Sequence, residues 1–338
     1  MTVQEVVHYS VLLLAVTALG SAATAFEEIT SVSPFMKACW RLEITSLLQF
    51  IPSFFEWRKN SSAVKSMIIR FWHFSIISGI CLALTFCLWC LSLDLTSIAH
   101  SLLFSSASPL VIVVSYFFLC KKVTFLEILG VVIGFAGLAI CILGSKGSEG
   151  STWYGDLLAF GTAIALALYI LTGKRVMSCN IPMWSYLAIA NLQAAVWSYI
   201  FALIDGDSAI AGIQWIYTED WIMALYLGVV PGALGNGAFS YLIKYMSELV
   251  ISVFINFQPV LGSIIGWLYG IQEPPSVYTW IGGTVVTTGN ILVAVAGALK
   301  NDREIKIEVE YDENNNEKSN ENGKEIRKRL LSFNMDQV

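Results

Sequence analysis

The stretch SIAHSLLFSSASP, residues 97–109, is repeated in outline by SELVISVFINFQP, residues 247–259. Identical residues stand 150 positions apart at three places: Ser97 and Ser247, Phe104 and Phe254, and Pro109 and Pro259. Pro109 interrupts an apolar run, and a proline inside a helix removes a backbone hydrogen bond. The pairing therefore predicts a helix break that recurs in a second copy of the same unit.

Further matches extend this repeat in both directions along the chain. Two glycine pairs lie 152 positions apart and one proline pair 148 apart: Gly130 with Gly282, Gly137 with Gly289, and Pro34 with Pro182. Similar separations over several helix pairs predict two copies of a five-helix unit. Because five is odd, the two copies must enter the membrane from opposite sides. Inverted repeats of this kind are common in secondary transporters, whose binding site lies near the midplane between the halves.

The composition is that of a membrane protein. Of the 338 residues, 56% are hydrophobic and 13% are charged, whereas soluble domains contain roughly 25% charged residues. A membrane-crossing helix needs about 20 apolar residues. Ten segments qualify: 7–26, 34–55, 71–93, 97–119, 124–144, 154–173, 183–204, 221–243, 248–271 and 277–299. We therefore expect an all-α integral membrane protein with ten transmembrane helices, arranged as two inverted five-helix repeats.

These segments divide the chain into two repeats and a tail. The first repeat covers residues 7–144 and the second covers residues 153–299. Residues 300–338 are charged, rich in asparagine and nearly free of aromatic residues. Because such a composition cannot bury enough apolar surface to fold, we expect a disordered cytoplasmic tail.

Basic residues in the loops predict the orientation, because Lys and Arg concentrate in short cytoplasmic loops. With the N-terminus inside, nine of them fall in inside loops: Arg58, Lys59, Lys65, Arg70, Lys121, Lys122, Lys174, Arg175 and Lys244. The outside loops then contain Lys146 alone. Both termini are therefore predicted to be cytoplasmic. The first segment resembles a signal peptide at Ala23-Thr24-Ala25, but it lacks a basic start and is long for one, which favours a retained helix.

The second segment, SPFMKACWRLEITS, has the charges of greatest functional interest. Lys37 and Arg41 are four residues apart and share a helix face, whereas Glu43 lies on another face. Two cations on one face of a membrane helix need a counter-charge. The alternatives are an anionic substrate, a carboxylate from Glu27, Glu28 or Glu43, and extension of Lys37 to the membrane surface. Lys37 and Arg41 are thus candidate substrate-binding residues, and Glu43 is the candidate for binding a coupling proton.

Polar residues inside other segments add candidates for substrate binding. Ser105 lies on a stripe of serines in the fourth segment, and Tyr169 in the sixth segment can pack against the substrate. Amide side chains lie near the predicted helix breaks at Pro109, Pro231 and Pro259: Asn236, Asn256 and Gln258. An amide in a membrane and the backbone groups freed by a break both need partners. Close helix packing is the alternative reading of the serines and glycines.

Four stretches resemble the drug/metabolite transporter superfamily, specifically its EamA-like transporters. They are SPFMKACWRL in the second segment, SIAHSLLFSSASPLVIVVSYFFLCKKVTFLEILGVVIGFAGLAI across the fourth and fifth, GDLLAFGTAIALALYILTGKRV in the sixth, and INFQPVLGSIIGWLYGIQEPPSVYTWIGGTVVTTGNIL across the ninth and tenth. In this resemblance the family's basic residue of the second helix corresponds to Arg41. Its helix-breaking prolines correspond to Pro109 and Pro259.

The resemblance implies a central cavity lined by the first four helices of each half, and alternating access by rocking of the halves. It also implies that the peripheral fifth and tenth helices can form a homodimer. One departure concerns the acidic residue often found after the fourth helix. Lys121 and Lys122 replace it in the first repeat, whereas Glu273 retains it in the second. Members of the superfamily carry amino acids, nucleotide sugars, sugar phosphates or drugs, and no motif here selects among them.

We therefore expect a secondary active transporter of a small organic metabolite, coupled to protons or to exchange. Its expected partners are a small-molecule substrate and the lipid bilayer, with no nucleic acid and no cofactor. The sequence contains no P-loop for ATP and no GxSxG or HExxH motif, so an enzyme is not expected. The alternative is a membrane receptor or scaffold that retains the transporter fold without transport.

Overall fold

A computed structural model of the chain describes residues 3–59, 61–119, 123–145, 152–177, 182–242, 254–255, 257–271 and 273–300. Within these ranges every regular element is a helix. Met1–Ala294 form one compact unit, and a second unit begins at Val295. The described part of the second unit is the end of the last helix, and residues 301–338 of the predicted tail lie outside the described residues.

The helices are labelled in chain order. The first repeat of the sequence contains α1 (Val3–Gly20), α2 (Ala22–Glu28), α3 (Pro34–Lys59), α4 (Ser61–Leu93), α5 (Ile98–Ser105), α6 (Ser108–Phe118) and α7 (Phe125–Ser145). The second contains α8 (Trp153–Met177), α9 (Met183–Asp205), α10 (Ala211–Gln214), α11 (Trp221–Leu227), a π-helix (Gly228–Gly235), α12 (Asn236–Leu242), α13 (Gln258–Leu268) and α14 (Val277–Lys300).

Among the described residues, eight helical segments are long and apolar enough to cross a membrane. They are Val6–Glu28, Trp72–Leu93, Ile98–Phe118, Phe125–Leu143, Trp153–Gly173, Met183–Asp205, Trp221–Ala238 and Val277–Lys300. The chain is thus an integral, multi-pass membrane protein. The other two predicted segments differ from these in charge or in described length. The segment 34–55 lies in α3, which includes Lys37, Arg41 and Glu43, and the described helix of segment 248–271 is Gln258–Leu268.

Pro109 lies in the first turn of a helix and not in the middle of one. α5 ends at Ser105, and α6 begins at Ser108 with Pro109 in its first turn. The first N–H groups of a helix have no partner within it, so a proline there loses no hydrogen bond. Pro259 occupies the same position at the start of α13. Between α5 and α6, the Ser106 N–H donates to the Leu102 carbonyl at 3.0 Å, which closes the end of α5.

The glycine-rich stretch around Pro231 forms the π-helix, and this segment packs against α3. Its wider turn accommodates a proline, whose missing N–H would leave a gap in an α-helix. The Thr45 hydroxyl of α3 donates to the Gly228 carbonyl at 3.2 Å. A Cβ atom on Gly232 would overlap Thr45. Small residues at this surface therefore let the two backbones approach closely.

α3 and α9 are joined along their length by buried polar contacts. The Asn191 amide of α9 donates to Gln49 Oε1 of α3 at 3.0 Å. At one end of the pair, Glu56 accepts the backbone N–H of Ser185 at 2.9 Å and that of Trp184 at 3.3 Å. These N–H groups belong to the first turn of α9, where a carboxylate stabilises the positive end of the helix.

At the other end of α3, the α2–α3 connection is bonded to the segment after α9. Ser33 donates to a carboxylate oxygen of Asp207, and Ser31 donates to one of Asp220. The Trp40 indole of α3 donates to the Ala211 carbonyl at 2.8 Å. The α2–α3 connection and α3 are therefore joined to the segment after α9 through hydrogen bonds at this end of the protein.

α7 and α14 cross at four glycines, so that their backbones are in contact. A Cβ atom on Gly130 would lie 2.8 Å from the Gly289 carbonyl oxygen. One on Gly137 would lie 2.7 Å from the Gly282 carbonyl oxygen. Real Cβ atoms are essentially never found this close to a carbonyl oxygen, so a larger residue at any of the four positions would push the helices apart.

Candidate functional site

Arg41 of α3 is buried among three aromatic rings, which we call the Arg41 cage: Phe26, Phe86 and Trp89. The guanidinium carbon lies 4.3 Å from the centre of the Phe86 ring, 5.6 Å from that of Phe26 and 5.7 Å from that of Trp89. The residue is 3% exposed. Aromatic faces attract a cation, and Arg is the basic residue that most often uses this contact. The cage explains how a positive charge is kept inside an apolar bundle.

The cage does not satisfy the hydrogen-bonding groups of its members. Among the described residues, Arg41 Nη1 and the Trp89 indole Nε1 are buried and have no hydrogen-bond partner. A buried donor without an acceptor costs about 1–3 kcal/mol, and more when it is charged. A hydrogen-bond acceptor from outside the chain would therefore be stabilised next to these two donors.

Lys37, one helical turn before Arg41, has an acidic partner in the chain. Its ammonium group lies 3.3 Å from Asp94, which follows α4. The sequence had suggested Glu27, Glu28 or Glu43 as the counter-charge. The observed partner, Asp94, was not among them, so that expectation is corrected. Glu27, half-buried at the end of α2, also interacts electrostatically with Lys37 and Asp94. Asp94 is remote in sequence and becomes a neighbour because α4 returns to the same end of α3.

The other sequence-predicted residues are distributed over several helices. Glu43 is half-buried near the Trp215 indole and forms no ion pair within the described part of the chain. Tyr169 of α8 and Phe86 of the cage pack against one buried cluster that includes Leu42. The structure therefore brings Tyr169 towards the Arg41 cage.

The remaining candidates lie near the helix breaks. The Ser105 hydroxyl donates to the Leu102 carbonyl of its own helix at 3.1 Å. Asn236 begins α12 directly after the π-helix, and Gln258 begins α13. α12 and α13 both pack against α1, so these two residues flank that helix. Asn256 lies outside the described residues.

A second buried polar cluster, centred on His100, was not among the candidates predicted from the sequence. His100 Nδ1 lies 3.1 Å from Asp156 Oδ1, and its Nε2 lies 3.1 Å from the Thr279 hydroxyl. The Thr96 hydroxyl donates to the same Asp156 oxygen at 2.8 Å. These contacts join α5, α8 and α14. Asp156 carried a usable signal, because an acid in an apolar membrane helix is usually paired or functional.

A pocket of about 190 Å³ lies between α5, α13 and α14. Its walls are largely apolar and include four threonines, Thr279, Thr284, Thr287 and Thr288. None of the Arg41 cage residues line it. Thr279 connects the wall of this pocket to His100.

Comparison with solved structures identifies the fold. One crystal structure has a TM-score of 0.58 and 18% sequence identity, covering 86% of this chain and 96% of the other. At this identity the match shows a shared fold and leaves the substrate undetermined.

Two curated relatives are similar over part of the chain. An uncharacterized transporter of Buchnera aphidicola subsp. Schizaphis graminum (strain Sg) is 27% identical over 171 residues, covering 50% of this chain and 56% of that protein. The uncharacterized transporter YvbV of Bacillus subtilis (strain 168) is 26% identical over 172 residues, covering 46% of this chain and 54% of that protein. The chain thus aligns with about half the length of these relatives.

The family comparison covers most of the chain. Residues 8–143 and 153–295 both match the model of the EamA-like transporter family. This agrees with the resemblance found in the sequence and with the apolar membrane-crossing helices. The chain belongs to the EamA-like transporter family.

Proposed function

We propose that this protein is a secondary transporter that moves a small organic metabolite with an anionic group across a membrane by alternating access. The observation that carries the proposal is the buried Arg41 guanidinium in its aromatic cage, whose Nη1 has no hydrogen-bond partner among the described residues. A buried cation at membrane depth is costly to retain and usually marks a substrate or ion pathway. Lys37 lies one helical turn from Arg41 and is paired with Asp94, so Arg41 supplies the main attraction for the anionic group. Ser105, Tyr169, Asn236, Asn256 and Gln258 supply further substrate contacts.

The proposed architecture has ten transmembrane helices in two inverted repeats, residues 7–144 and 153–299. The glycine crossing supports this proposal. Gly130 contacts Gly289, which is the counterpart of Gly137 in the repeat. Gly137 contacts Gly282, which is the counterpart of Gly130. A two-fold relation between the halves produces this exchange. The two stretches that match the family, residues 8–143 and 153–295, also agree with two copies.

The proposed orientation places both termini in the cytoplasm, and with them the tail. The 205–220 connection is then outside, and a cysteine at position 208 should react with a membrane-impermeant maleimide added to intact cells. A cysteine at position 62 should react only after the cells are opened. The reverse pattern would require the opposite orientation.

The proposed homodimer uses faces of α7 and α14 other than their shared glycine surface.

Coupling to protons is proposed to use Glu43, which is half-buried on α3 and free of ion pairs among the described residues. Glu43→Gln should abolish uptake driven by a proton gradient but leave exchange of internal for external substrate intact. Equal loss of both activities would exclude this role.

Metabolite profiling of cells with and without the protein, followed by liposome uptake of the compounds that change, tests the function itself. We expect uptake in liposomes containing wild-type protein and at least a tenfold loss with Arg41→Gln. Asp205→Asn, an exposed carboxylate on α9, is the control and should retain full uptake. If purified protein moves none of the compounds, the alternative of a receptor or scaffold with a transporter fold is favoured.

A further inference from the structure

We propose that Arg41 and Trp89 together bind one carboxylate group, and that the substrates are small monocarboxylates. This inference rests on the proposed function for its biological meaning, since it defines the substrate class of the same site. Trp89 was not among the residues predicted from the sequence. It contributes an indole N–H as well as an aromatic face.

Two unused hydrogen-bond donors lie next to each other in the cage. Arg41 Nη1 and Trp89 Nε1 are both buried and both lack an acceptor among the described residues. Arg41 Cζ lies 5.7 Å from the centre of the Trp89 ring, so the two side chains are neighbours. A carboxylate has two acceptor oxygens in one plane, and each donor can bond one of them.

Three described groups near these donors are weak acceptors. Phe26 and Phe86 complete the cage and offer ring faces, which attract the positive charge but accept a hydrogen bond less well than a carboxylate oxygen. The buried Cys90 thiol, which interacts electrostatically with Arg41, is also a weak acceptor. A carboxylate oxygen from a ligand would be a stronger acceptor than any of these.

The charges around the site favour a monoanion. Lys37 lies 3.3 Å from Asp94, so of these two cations Arg41 is the one left for a ligand. Asp94 adds negative charge close to Lys37, one helical turn from Arg41. A dianion such as phosphate would be repelled by this carboxylate more strongly than a monoanion and would need more donors than Arg41 Nη1 and Trp89 Nε1. A single negative charge with an apolar body matches one guanidinium inside three aromatic rings.

Binding to purified protein tests the proposal without requiring transport. The probes are the free amino acids, 2-oxo acids and arylacetates, together with their amides and inorganic phosphate, measured by calorimetry and by tryptophan fluorescence in detergent. We expect at least one carboxylate to bind, its amide to bind at least tenfold more weakly, and phosphate not to bind. Binding of phosphate as tightly as any carboxylate, or no binding by any carboxylate, would overturn the proposal.

Trp89→Phe is the decisive variant, because it keeps an aromatic ring in the cage and removes only the N–H donor. We expect affinity for the carboxylate to fall about tenfold, a typical effect of losing one hydrogen bond to a charged group. Trp72→Phe is the matched control. Trp72 lies on the same helix, α4, but is exposed and outside the cage, so the affinity of this variant should equal that of the wild type.

Two further outcomes separate this proposal from the proposed function. Suppose that carboxylates bind and that Trp89→Phe weakens their binding, but that liposomes show no flux. This result would support the carboxylate site and contradict the proposed transport. If flux is present and Trp89→Phe binds the substrate as tightly as wild type, a buried water satisfies the indole and the two-donor site is wrong. Melting temperatures of both tryptophan variants establish that each remains folded. Should Trp89→Phe unfold, Arg41→Lys replaces it, and unchanged carboxylate affinity in that variant also contradicts the proposal.

Discussion

Two basic residues one helical turn apart have different environments. Lys37 has a carboxylate partner at 3.3 Å, whereas Arg41 has aromatic rings and an Nη1 without a hydrogen-bond partner in the described part of the chain. The difference suits their chemistry, because a guanidinium is weakly hydrated and stacks on rings while an ammonium requires strong local hydration or a counter-charge. A charge with a permanent partner serves structure, and a charge without one is available to a ligand.

The Lys37–Asp94 pair should respond asymmetrically to mutation. The Lys37 side chain is 7% exposed and that of Asp94 is 37% exposed. Asp94→Asn leaves a buried ammonium without a counter-charge and should lower stability by about 3 kcal/mol, as when one partner of a buried ion pair is removed. Lys37→Met leaves a carboxylate that water can reach, and should cost about 1 kcal/mol or less. Thermal unfolding in detergent measures both.

The double variant provides the control for this prediction. Lys37→Met combined with Asp94→Asn removes both charges, so its stability should exceed that of Asp94→Asn alone. Purely additive losses would show that the two side chains do not interact in the folded protein.

At the residue level the sequence predicted the charges more successfully than their partners. Lys37 and Arg41 were recognisable because a basic residue in an apolar segment is conspicuous. Asp94 and Trp89 were not, because their roles depend on which face α4 turns towards α3. His100 and Asp156 are 56 residues apart, and no local periodicity connects two positions on different helices.

Among the elements, the proline positions and the glycine crossing follow directly from backbone chemistry. A proline is tolerated where the N–H has no partner in any case, which is why Pro109 lies in the first turn of α6. The repeat in the sequence indicated a helix break at this position. It did not indicate that one helix ends there and another begins, because this depends on local hydrogen bonds. At Pro231 the sequence indicated a helix break, and the structure has a π-helix there, which helix periodicity alone does not distinguish.

Adding one methyl group at the crossing of α7 and α14 should destabilise the protein. A Cβ atom on Gly289 would lie 2.5 Å from the Gly134 backbone nitrogen and 2.6 Å from the Gly130 carbonyl oxygen. Backbone atoms cannot move aside, so Gly289→Ala should cost about 1–3 kcal/mol of stability, as overpacking does. The loss should be visible as a lower melting temperature.

Gly161→Ala on α8 is the matched control for this crossing. Its new Cβ would lie 3.3 Å from the end of the flexible Leu88 side chain, which can shift, and we expect a change within about 0.5 kcal/mol. Equal melting temperatures for the two alanine variants would mean that the glycine contact does not determine the helix spacing.

For the whole molecule, the alternating-access proposal requires the contact between the α2–α3 connection and the segment after α9 to open during transport. Ser33 and Asp207 are hydrogen-bonded in the present arrangement. Replacing both by cysteine and oxidising the pair should join the two repeats at this end. Uptake should fall to the background level, because the cavity cannot open there, and should return after reduction.

Each single cysteine variant controls for the substitution itself and should transport before and after oxidation. Full uptake by the crosslinked protein would mean that this end need not open, which contradicts rocking of the two halves. The sequence predicted two repeats from matched residues, yet it contained no information on which end is closed. That arrangement depends on contacts between distant segments such as 29–33 and 205–220.

The exchange of glycine partners at the α7–α14 crossing also has an evolutionary consequence. Positions 130 and 289 share one contact, and positions 137 and 282 share the other. A larger side chain at one position can be accommodated only if the residue that it contacts remains small. The size of the equivalent residue in the other repeat does not matter. Among homologous sequences, residue sizes should therefore covary within the pairs 130/289 and 137/282 more strongly than within the pairs 130/282 and 137/289. Covariation of this kind would mean that selection acts on contacts between the proposed halves, so that the two copies could not diverge independently.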